Sequence, residues 1–231
     1  CERTLQGHRS SVVCLCIHGD KLVSGSAGVI KIWDLASGAC EMTMTAAGDV
    51  LVLCMFGDKI VSGSYREDGI RIWNAESGEC ERALREHKSR EHSSHCCCKQ
   101  CNLADSFITS VHALCVYQDK IVSGSSDIKI WNTSSWECEK TLLGHTGSVL
   151  SLCVIRDKIV SGSRDLTIKI WNPSLGACER TLAGHTGGIV SLCECGGKLV
   201  SASRDCTIRI WDLDTWSCEK TLEGHSEAVS S

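Results

Sequence analysis

Two sets of Ser, His and Asp recur in this sequence with the residue types that a hydrolase uses for nucleophilic catalysis. The first set is His145, Ser161 and Asp165. The second follows at the same spacing: His185, Ser201 and Asp205. A catalytic triad needs serine as nucleophile, histidine as base and aspartate to orient the imidazole. Because the set is repeated along the chain, we expect a structural device and predict no catalytic residues and no enzyme activity.

A second candidate for chemistry is the stretch KSREHSSHCCCKQCNLADSF at 88–107. His92, His95, Cys98 and Cys101 are spaced three apart, and imidazoles and thiolates at such intervals can make a tetrahedral zinc site. The two halves lie closer together than in common zinc modules, so a solvated low-complexity loop and a retained non-coding segment are alternatives. We predict no resident cofactor and keep zinc at 92–101 as a hypothesis.

The chain has 18 cysteines, a number that in a small secreted protein would indicate disulfides. Here ten of them fall into two repeating sets, which the pattern places on inner and outer strands of the same sheets. Three strand spacings amount to about 14 Å, which a disulfide cannot span. We therefore expect small buried side chains in a reducing cytoplasm or nucleus. The outer set is Cys40, Cys80, Cys138, Cys178 and Cys218, and the inner set is Cys16, Cys54, Cys115, Cys153 and Cys193.

Charge and hydropathy narrow the classes of partner. The chain carries 24 Lys and Arg against 28 Asp and Glu, a formal net charge of −4 at pH 7, so the sequence predicts no nucleic-acid partner. It has no signal-peptide pattern and no apolar run long enough to cross a membrane, so we expect no membrane partner.

The Ser, His and Asp sets and the repeating cysteines are positioned by a sequence repeat. A tryptophan recurs at a fixed interval and marks each copy. Each tryptophan ends a short β-branched segment such as IKIWN or IRIWD, and self-similarity at this period is typical of a repeat architecture. The longest interval contains the stretch at 88–107. The repeating tryptophans are Trp33, Trp73, Trp131, Trp171 and Trp211.

Residues 141–182 give the clearest template of one repeat. Four short segments rich in β-branched residues, SVLSLCV, KIVSGS, TIKIWN and ACERTL, are separated by turn residues. This pattern predicts a four-stranded antiparallel sheet. Because one such sheet cannot bury its faces alone, the copies must pack on each other, and radial packing makes a β-propeller.

Two dipeptides at fixed offsets give this repeat a family resemblance. Gly-His recurs at 7–8, 144–145, 184–185 and 224–225, and Trp-Asp or Trp-Asn recurs at each repeating tryptophan. Outside 88–107 the whole chain resembles the WD40 (WD-repeat) β-propeller family. Its compact first hairpins are also similar, more weakly, to the propellers of F-box/WD-repeat proteins and of myosin heavy-chain kinases.

The resemblance implies an all-β protein, a WD40-type β-propeller with five complete four-stranded blades and partial flanking strands. Residues 1–231 are predicted to form one propeller domain, with 88–107 as a Cys/His-rich loop insert. Because Gly224-His225 begins a sixth set, we expect either a fragment of a ring of about six to eight blades or an atypical ring.

The resemblance also implies a buried hydrogen-bond chain in each complete blade, running from the Trp indole through the strand Ser and the turn His to the turn Asp. The two complete sets are His145, Ser161, Asp165 and Trp171, and His185, Ser201, Asp205 and Trp211. Two repeats depart from this pattern. Ala-Ala-Gly-Asp at 46–49 replaces Gly-His, and Ala27-Gly28 replaces Arg-Asp, so we expect those blades to be locally weaker.

Arginines in the turns are the candidate partner-binding residues. Arg164 and Arg204 occupy equivalent positions of consecutive repeats, beside the turns that the resemblance makes the partner-binding rim. Arg66, Tyr65 and Arg9 lie in matching or adjoining turns. Arg on one face suits recognition of carboxylate or phosphate, and Arg and Tyr are enriched in interface hot spots. The alternative is that Arg164 and Arg204 are solvated or pair with their own Asp neighbours.

Trp136 and Trp216 fall on the opposite rim, where other repeats have a turn glycine. Each would either anchor a partner or cover the end of its blade.

The predicted function is therefore a non-enzymatic protein–protein interaction scaffold or adaptor that binds proteins or peptides through rim loops, as a monomer or in a larger complex. One alternative is the substrate-recruiting module of a ubiquitin ligase, by the F-box/WD-repeat resemblance. That resemblance implies an inner-strand Arg two residues after the turn, and the matching positions here are Val13, Leu51, Ala113, Leu150 and Val190. Another alternative is the targeting module of a larger kinase.

Overall fold

The computed structural model describes residues 4–65, 69–84 and 110–229. This part of the chain consists of antiparallel strands and turns, and none of it forms a helix long and apolar enough to cross a membrane. The chain divides into two compact units, Cys1–Val111 and His112–Ser231.

The first unit contains one antiparallel sheet of six strands in sequence order. The strands are β1 (Cys14–His18), β2 (Lys21–Asp34), β3 (Cys40–Phe56), β4 (Lys59–Tyr65), β5 (Ile70–Asn74) and β6 (Cys80–Leu84).

Strands β2 and β3 are longer than the repeat template predicts. The Trp33 indole nitrogen lies 2.7 Å from the Ser24 hydroxyl, although nine extended residues would separate them by about 30 Å. β2 therefore folds back on itself, at Gly28 with its φ of 67°. β3 pairs with β2 through its first part and with β4 through its second. The sheet thus contains the eight strand segments of two repeats.

The second unit contains three four-stranded antiparallel sheets, which confirms the predicted fold class and the strand order of the 141–182 template. The first sheet is β7 (Ala113–Tyr117), β8 (Lys120–Gly124), β9 (Ile128–Asn132) and β10 (Cys138–Leu142). The second is β11 (Val149–Ile155), β12 (Lys158–Ser163), β13 (Ile168–Asn172) and β14 (Ala177–Leu182). The third is β15 (Ile189–Cys195), β16 (Lys198–Ser203), β17 (Ile208–Asp212) and β18 (Cys218–Leu222).

Consecutive sheets of the second unit pack through apolar side chains. Val149 at the start of β11 and Ile189 at the start of β15 are both 0% exposed. Each lies against a glycine of the preceding sheet, Gly124 or Gly162, where a Cβ would overlap the branched side chain. The alternation of buried Ile and Val along β12 and β13 supplies the rest of this core.

The outer-strand cysteines correct one prediction. We expected buried side chains in both sets. In the inner set Cys193 is exposed and the other four are half-buried. In the outer set Cys40, Cys80, Cys178 and Cys218 are exposed and Cys138 is half-buried. Each cysteine of the outer set stands opposite the repeating Trp, where the register shifts at a β-bulge. The Cys178 thiol donates to the carbonyl of Arg180 at 3.2 Å, so the bulge gives this cysteine a local hydrogen bond in place of burial.

The residue after each of these cysteines is a glutamate that pairs with a lysine of the second strand of its repeat. Sequence reasoning did not predict these pairs, which span 2.5–2.7 Å. The lysine and glutamate side chains are partly exposed, so each pair contributes little to stability. The pairs are Lys21–Glu41, Lys59–Glu81, Lys120–Glu139, Lys158–Glu179 and Lys198–Glu219.

Candidate functional site

In the sheet β11–β14 the first Ser, His and Asp set forms one continuous hydrogen-bond chain. The Trp171 indole N–H donates to Ser161 Oγ at 2.8 Å. Ser161 Oγ lies 2.7 Å from His145 Nε2, and His145 Nδ1 lies 2.7 Å from Asp165 Oδ2. Because a carboxylate can only accept, the His145 Nδ1–H donates to Asp165, and Nε2 is left to face the serine hydroxyl.

The sheet β15–β18 repeats this chain with the second set. The distances from Trp211 to Ser201, from Ser201 to His185 and from His185 to Asp205 are each 2.8 Å. Burial lowers the pKa of His185 despite its carboxylate neighbour. The imidazole is therefore neutral in the folded state, and its contact with Asp205 is a hydrogen bond of a neutral ring.

This geometry suits bracing and leaves no access for a substrate. Ser161 and Ser201 are 0% exposed, and each hydroxyl already has the indole and the imidazole as partners. A nucleophile needs an open approach to its oxygen. Nothing in the arrangement of these residues points to catalysis.

Asp165, the last residue of the hydrogen-bond chain, holds two turns together. Asp165 accepts the backbone N–H of Thr146 at 3.0 Å and the hydroxyl of Thr167 at 2.6 Å. Burial alone would raise the pKa of this carboxyl, but the hydrogen bonds from His145, Thr167 and Thr146 outweigh it and hold the pKa well below its ordinary value. The Gly-His turn and the turn that carries Arg164 are thus fixed to one another.

The hydrogen-bond chain is incomplete in the first unit, where the sequence departs from the repeat pattern. Ser24 has both Trp33 and His8 as partners, at 2.7 and 2.6 Å, but Gly28 stands where the Asp should be. Trp73 reaches Ser62 at 2.9 Å, with no Gly-His turn in that repeat.

We call residues 163–167 and 203–207 the Arg-Asp turns. Arg164 N–H donates to Ser148 O at 2.9 Å, and Arg204 N–H donates to Gly188 O at 3.0 Å. Gly188 also lies against Arg164, since a Cβ there would be 3.3 Å from the Arg164 Cα. The two arginines therefore flank one glycine, and both side chains are exposed.

Sequence reasoning missed a histidine, His112, next to these turns. Ala113 pairs with Gly124 in the same way that Ser151 pairs with Gly162. The residue equivalent to Leu150 is therefore His112. The prediction that Ala113 occupies that position was wrong by one residue. Burial lowers the pKa of His112, and the charges of Arg164 and Arg204 lower it further. Counting three residues back from the repeating inner-strand cysteine would have found it.

The other predicted contact residues belong to the first unit or lie outside the described residues. Tyr65 ends β4 and forms an isolated β-bridge with Ser110. Arg9 is exposed. Arg66 lies outside the described residues. The structure brings Arg164 and Arg204 together, while Arg9 and Tyr65 stay individual candidates.

Trp136 and Trp216 take the left-handed backbone of the turn glycines that they replace, with φ of 60° and 61°. Trp216 packs against the apolar cluster of the last two sheets, which includes Leu213 and Leu199. That contact favours the interpretation that Trp216 covers the end of its blade.

The zinc hypothesis falls on residues that are not described. His92, His95, Cys98 and Cys101 all lie outside the described ranges. Within those ranges no group of three or more His, Cys, Asp or Glu side chains is arranged to hold a metal.

Comparison with known proteins matches three segments of this chain to one family. The WD domain, G-beta repeat family (WD40) matches residues 1–34, 136–172 and 176–212. "Mitochondrial division protein 1" of Sclerotinia sclerotiorum (strain ATCC 18683 / 1980 / Ss-1) is 26% identical over 149 residues, which are 63% of this chain and 17% of that protein.

A solved structure matches nearly the whole chain. The crystal structure of the computationally designed Ika8 protein has a TM-score of 0.77 and 26% sequence identity, over 98% of this chain and 66% of that chain. The chain therefore spans about a sixth of the curated relative and about two thirds of the designed protein.

Proposed function

This chain is built from WD40 repeats, and from that premise we propose that it is a non-enzymatic scaffold or adaptor. It binds a protein or peptide partner through its rim turns, with Arg164 and Arg204 as the principal contacts. Arg9, Tyr65 and Arg66 are further candidates. The chain works as a monomer or within a larger complex. We also propose a reducing cytoplasmic or nuclear location, because the inner and outer cysteines of one sheet are too far apart to form a disulfide.

The observation that carries the proposal is the pair of exposed arginines on the two best-braced turns. The Asp165 and Asp205 carboxylates fix the Arg-Asp turns to their Gly-His turns. A contact residue on a rigid turn loses little conformational freedom on binding, and arginine is enriched at binding hot spots. Two such turns side by side present one fixed surface.

Affinity capture from lysate, read by mass spectrometry, tests this function. The wild-type chain is compared with an Arg164→Glu/Arg204→Glu variant. The matched control is Arg180→Glu/Lys220→Glu, which makes the same change of charge at equivalent exposed positions on the outer strands of the same two sheets. We expect a partner that the wild type and the control retain and the turn variant loses. Equal capture by all three chains would refute binding at these turns.

A second candidate is substrate recruitment for a ubiquitin ligase. His112 favours it, because a histidine that can take up a proton stands at the inner-strand position where the F-box/WD-repeat resemblance implies arginine. Ligase subunits in the same capture would support this function, and their absence alongside another specific partner would remove it.

A further inference from the structure

We propose that His112, Arg164 and Arg204 form one oxyanion-binding site in the second unit, which takes the acidic side chains of a partner's peptide segment. This inference rests on the proposed function and adds the chemistry of the partner. It also adds His112 as a contact residue.

Backbone contacts place the three residues on neighbouring segments. His112 N–H donates to Gly124 O at 3.0 Å at the start of β7, and Val149 N–H donates to Ser125 O at 2.7 Å at the start of β11. Arg164 N–H then reaches Ser148 O, and Arg204 N–H reaches Gly188 O. These contacts step from one sheet to the next, with His112 directly before β7 and with Arg164 and Arg204 in the turns after β12 and β16.

The nearest carboxylates in sequence do not neutralise the two arginines. Asp165 and Asp205 follow them directly, but both carboxylates are turned toward His145 and His185 and toward the threonine N–H groups. Within the described part of the chain, no ion pair joins Arg164 or Arg204 to an acidic side chain. This removes the alternative that these arginines pair with their own Asp neighbours.

Two guanidinium groups without an acidic partner, beside a histidine, favour the binding of an anion between them. The charges of Arg164 and Arg204 both act on the His112 ring, so an oxyanion there would face up to three positive groups. Guanidinium groups bind carboxylate and phosphate oxygens through charge-assisted hydrogen bonds. The second unit thus has an electrostatic preference for acidic segments, although the whole chain has a net charge of −4.

The half-buried His112 makes anion binding depend on pH. The pKa of free His112 lies below its ordinary value because of burial and the two arginines. A bound carboxylate would raise that pKa, so binding takes up a proton and tightens as the pH falls. The charged groups that act on the His112 ring are Arg164 and Arg204. The Asp165 and Asp205 carboxylates are engaged with His145 and His185, and Asp127 lies in the turn that follows Gly124.

Fluorescence anisotropy on the full chain tests the site with a labelled peptide that carries a run of glutamates. A peptide with glutamine in their place is the neutral control, and a phosphoserine peptide separates phosphate from carboxylate as the preferred oxyanion. We expect binding of the glutamate peptide alone or above both others. We also expect roughly tenfold weaker binding by Arg164→Glu/Arg204→Glu and unchanged binding by Arg180→Glu/Lys220→Glu.

The histidine has its own readout. Wild-type affinity should rise from about pH 8 to about pH 6, and His112→Gln should remove that dependence while the exposed His18→Gln keeps it. Equal affinity for the glutamate and glutamine peptides would overturn the site, and preference for phosphoserine would reassign its ligand to phosphate. If the lysate partner is lost in the arginine variant but no peptide binds, the acidic-segment inference fails and the proposed function stands. If neither assay responds to the arginines, both fail.

Discussion

Ser161 shows how one hydroxyl can hold two elements in place. It accepts the Trp171 indole N–H from the neighbouring strand and reaches the His145 ring in the turn. Both partners are buried, at 0% and 3% exposure, so neither can exchange the serine for water. Burial makes this small polar group structurally important, since an unpaired buried donor is costly.

We predict that Ser161→Ala lowers the free energy of unfolding by about 1–3 kcal/mol, because the buried indole N–H and imidazole lose their shared partner. Chemical denaturation measures the change. Ser174→Ala, at an exposed position of the opposite turn, is the control and should be close to neutral. An unchanged denaturation midpoint for Ser161→Ala would mean that the hydrogen-bond chain does not brace the sheet.

We also predict that stability falls as the pH drops below about 4. The folded-state pKa values of Asp165 and Asp205 lie below the ordinary value of 3.8. The unfolded chain therefore takes up protons first, and the stability contributed above that value is lost as the pH falls through the folded-state pKa values. Denaturant midpoints measured from neutral to acid pH report this loss.

The comparison for that experiment is Asp165→Asn/Asp205→Asn. It should be less stable than the wild type at neutral pH and should lose less of its stability on acidification. Asp157→Asn, at an exposed turn position with a φ of 59° that asparagine tolerates, should follow the wild type. A double variant with the full acid dependence would assign that dependence to other groups.

Sequence reasoning reached these serines and aspartates because Gly-His and Trp-Asn fix their offsets. It missed His112, because the insert at 88–107 removes the Gly-His turn that sets the count in that repeat. The assignment was then one residue off, and in a strand one residue exchanges the two faces. Sequence reasoning also predicted buried outer-strand cysteines, whereas these residues lie at a β-bulge and are exposed or half-buried. A bulge cannot be recognised from a period-two pattern.

Packing between consecutive elements depends on a glycine in the second strand of a repeat. A Cβ at Gly162 would overlap Ile189 and would lie 2.7 Å from the Ser151 hydroxyl oxygen. In the last sheet the equivalent residue is Ala202, which is 8% exposed. The close approach of β12 and β15 therefore requires glycine at 162, while the same strand position in β16 holds a methyl group.

Gly162→Ala should lower the free energy of unfolding by about 1–3 kcal/mol through overpacking against β15. The reciprocal change, Ala202→Gly, serves as the control and should cost about 1 kcal/mol or less. Thermal and chemical denaturation of both variants compare the two positions. If Gly162→Ala were as mild as Ala202→Gly, the tight contact between these sheets would not exist in solution.

The first sheet should open more readily than the sheet β11–β14. Its hydrogen-bond chain lacks the turn aspartate, and its edge strand β1 leaves Leu15 and Ile17 59% and 66% exposed. Native-state hydrogen exchange should therefore be faster in residues 22–32 than in residues 159–170. Equal protection of the two segments would show that the missing Asp has no local cost.

The strand segments of the 141–182 template agree with β11–β14 within one residue, because turn residues separate every segment there. The continuous runs β2 and β3 could not be predicted, since Ala27-Gly28 and 46–49 lack the polar turn residues that end the equivalent strands elsewhere. Tertiary pairing of Ala27 with Asp49 extends both runs across the expected turns.

At the scale of the molecule, the family could be predicted from repeat period and dipeptides, and the WD40 matches agree with it. The identity of the partner could not be predicted from the sequence, because repeats that share a structural template differ only at a few turn residues. We propose that the choice of partner depends on turn residues such as Arg164 and Arg204, together with His112.

Site-specific photo-crosslinking tests the central claim, that the Arg-Asp turns are the binding surface, most directly. A photoreactive residue replaces Leu166, which is 41% exposed within an Arg-Asp turn, or Leu175, which is 76% exposed in the turn after β13. Both chains must retain wild-type capture of the partner. We predict that the partner crosslinks from position 166 and not from position 175. Crosslinking from 175 alone would contradict the account and move the interaction to the opposite turns.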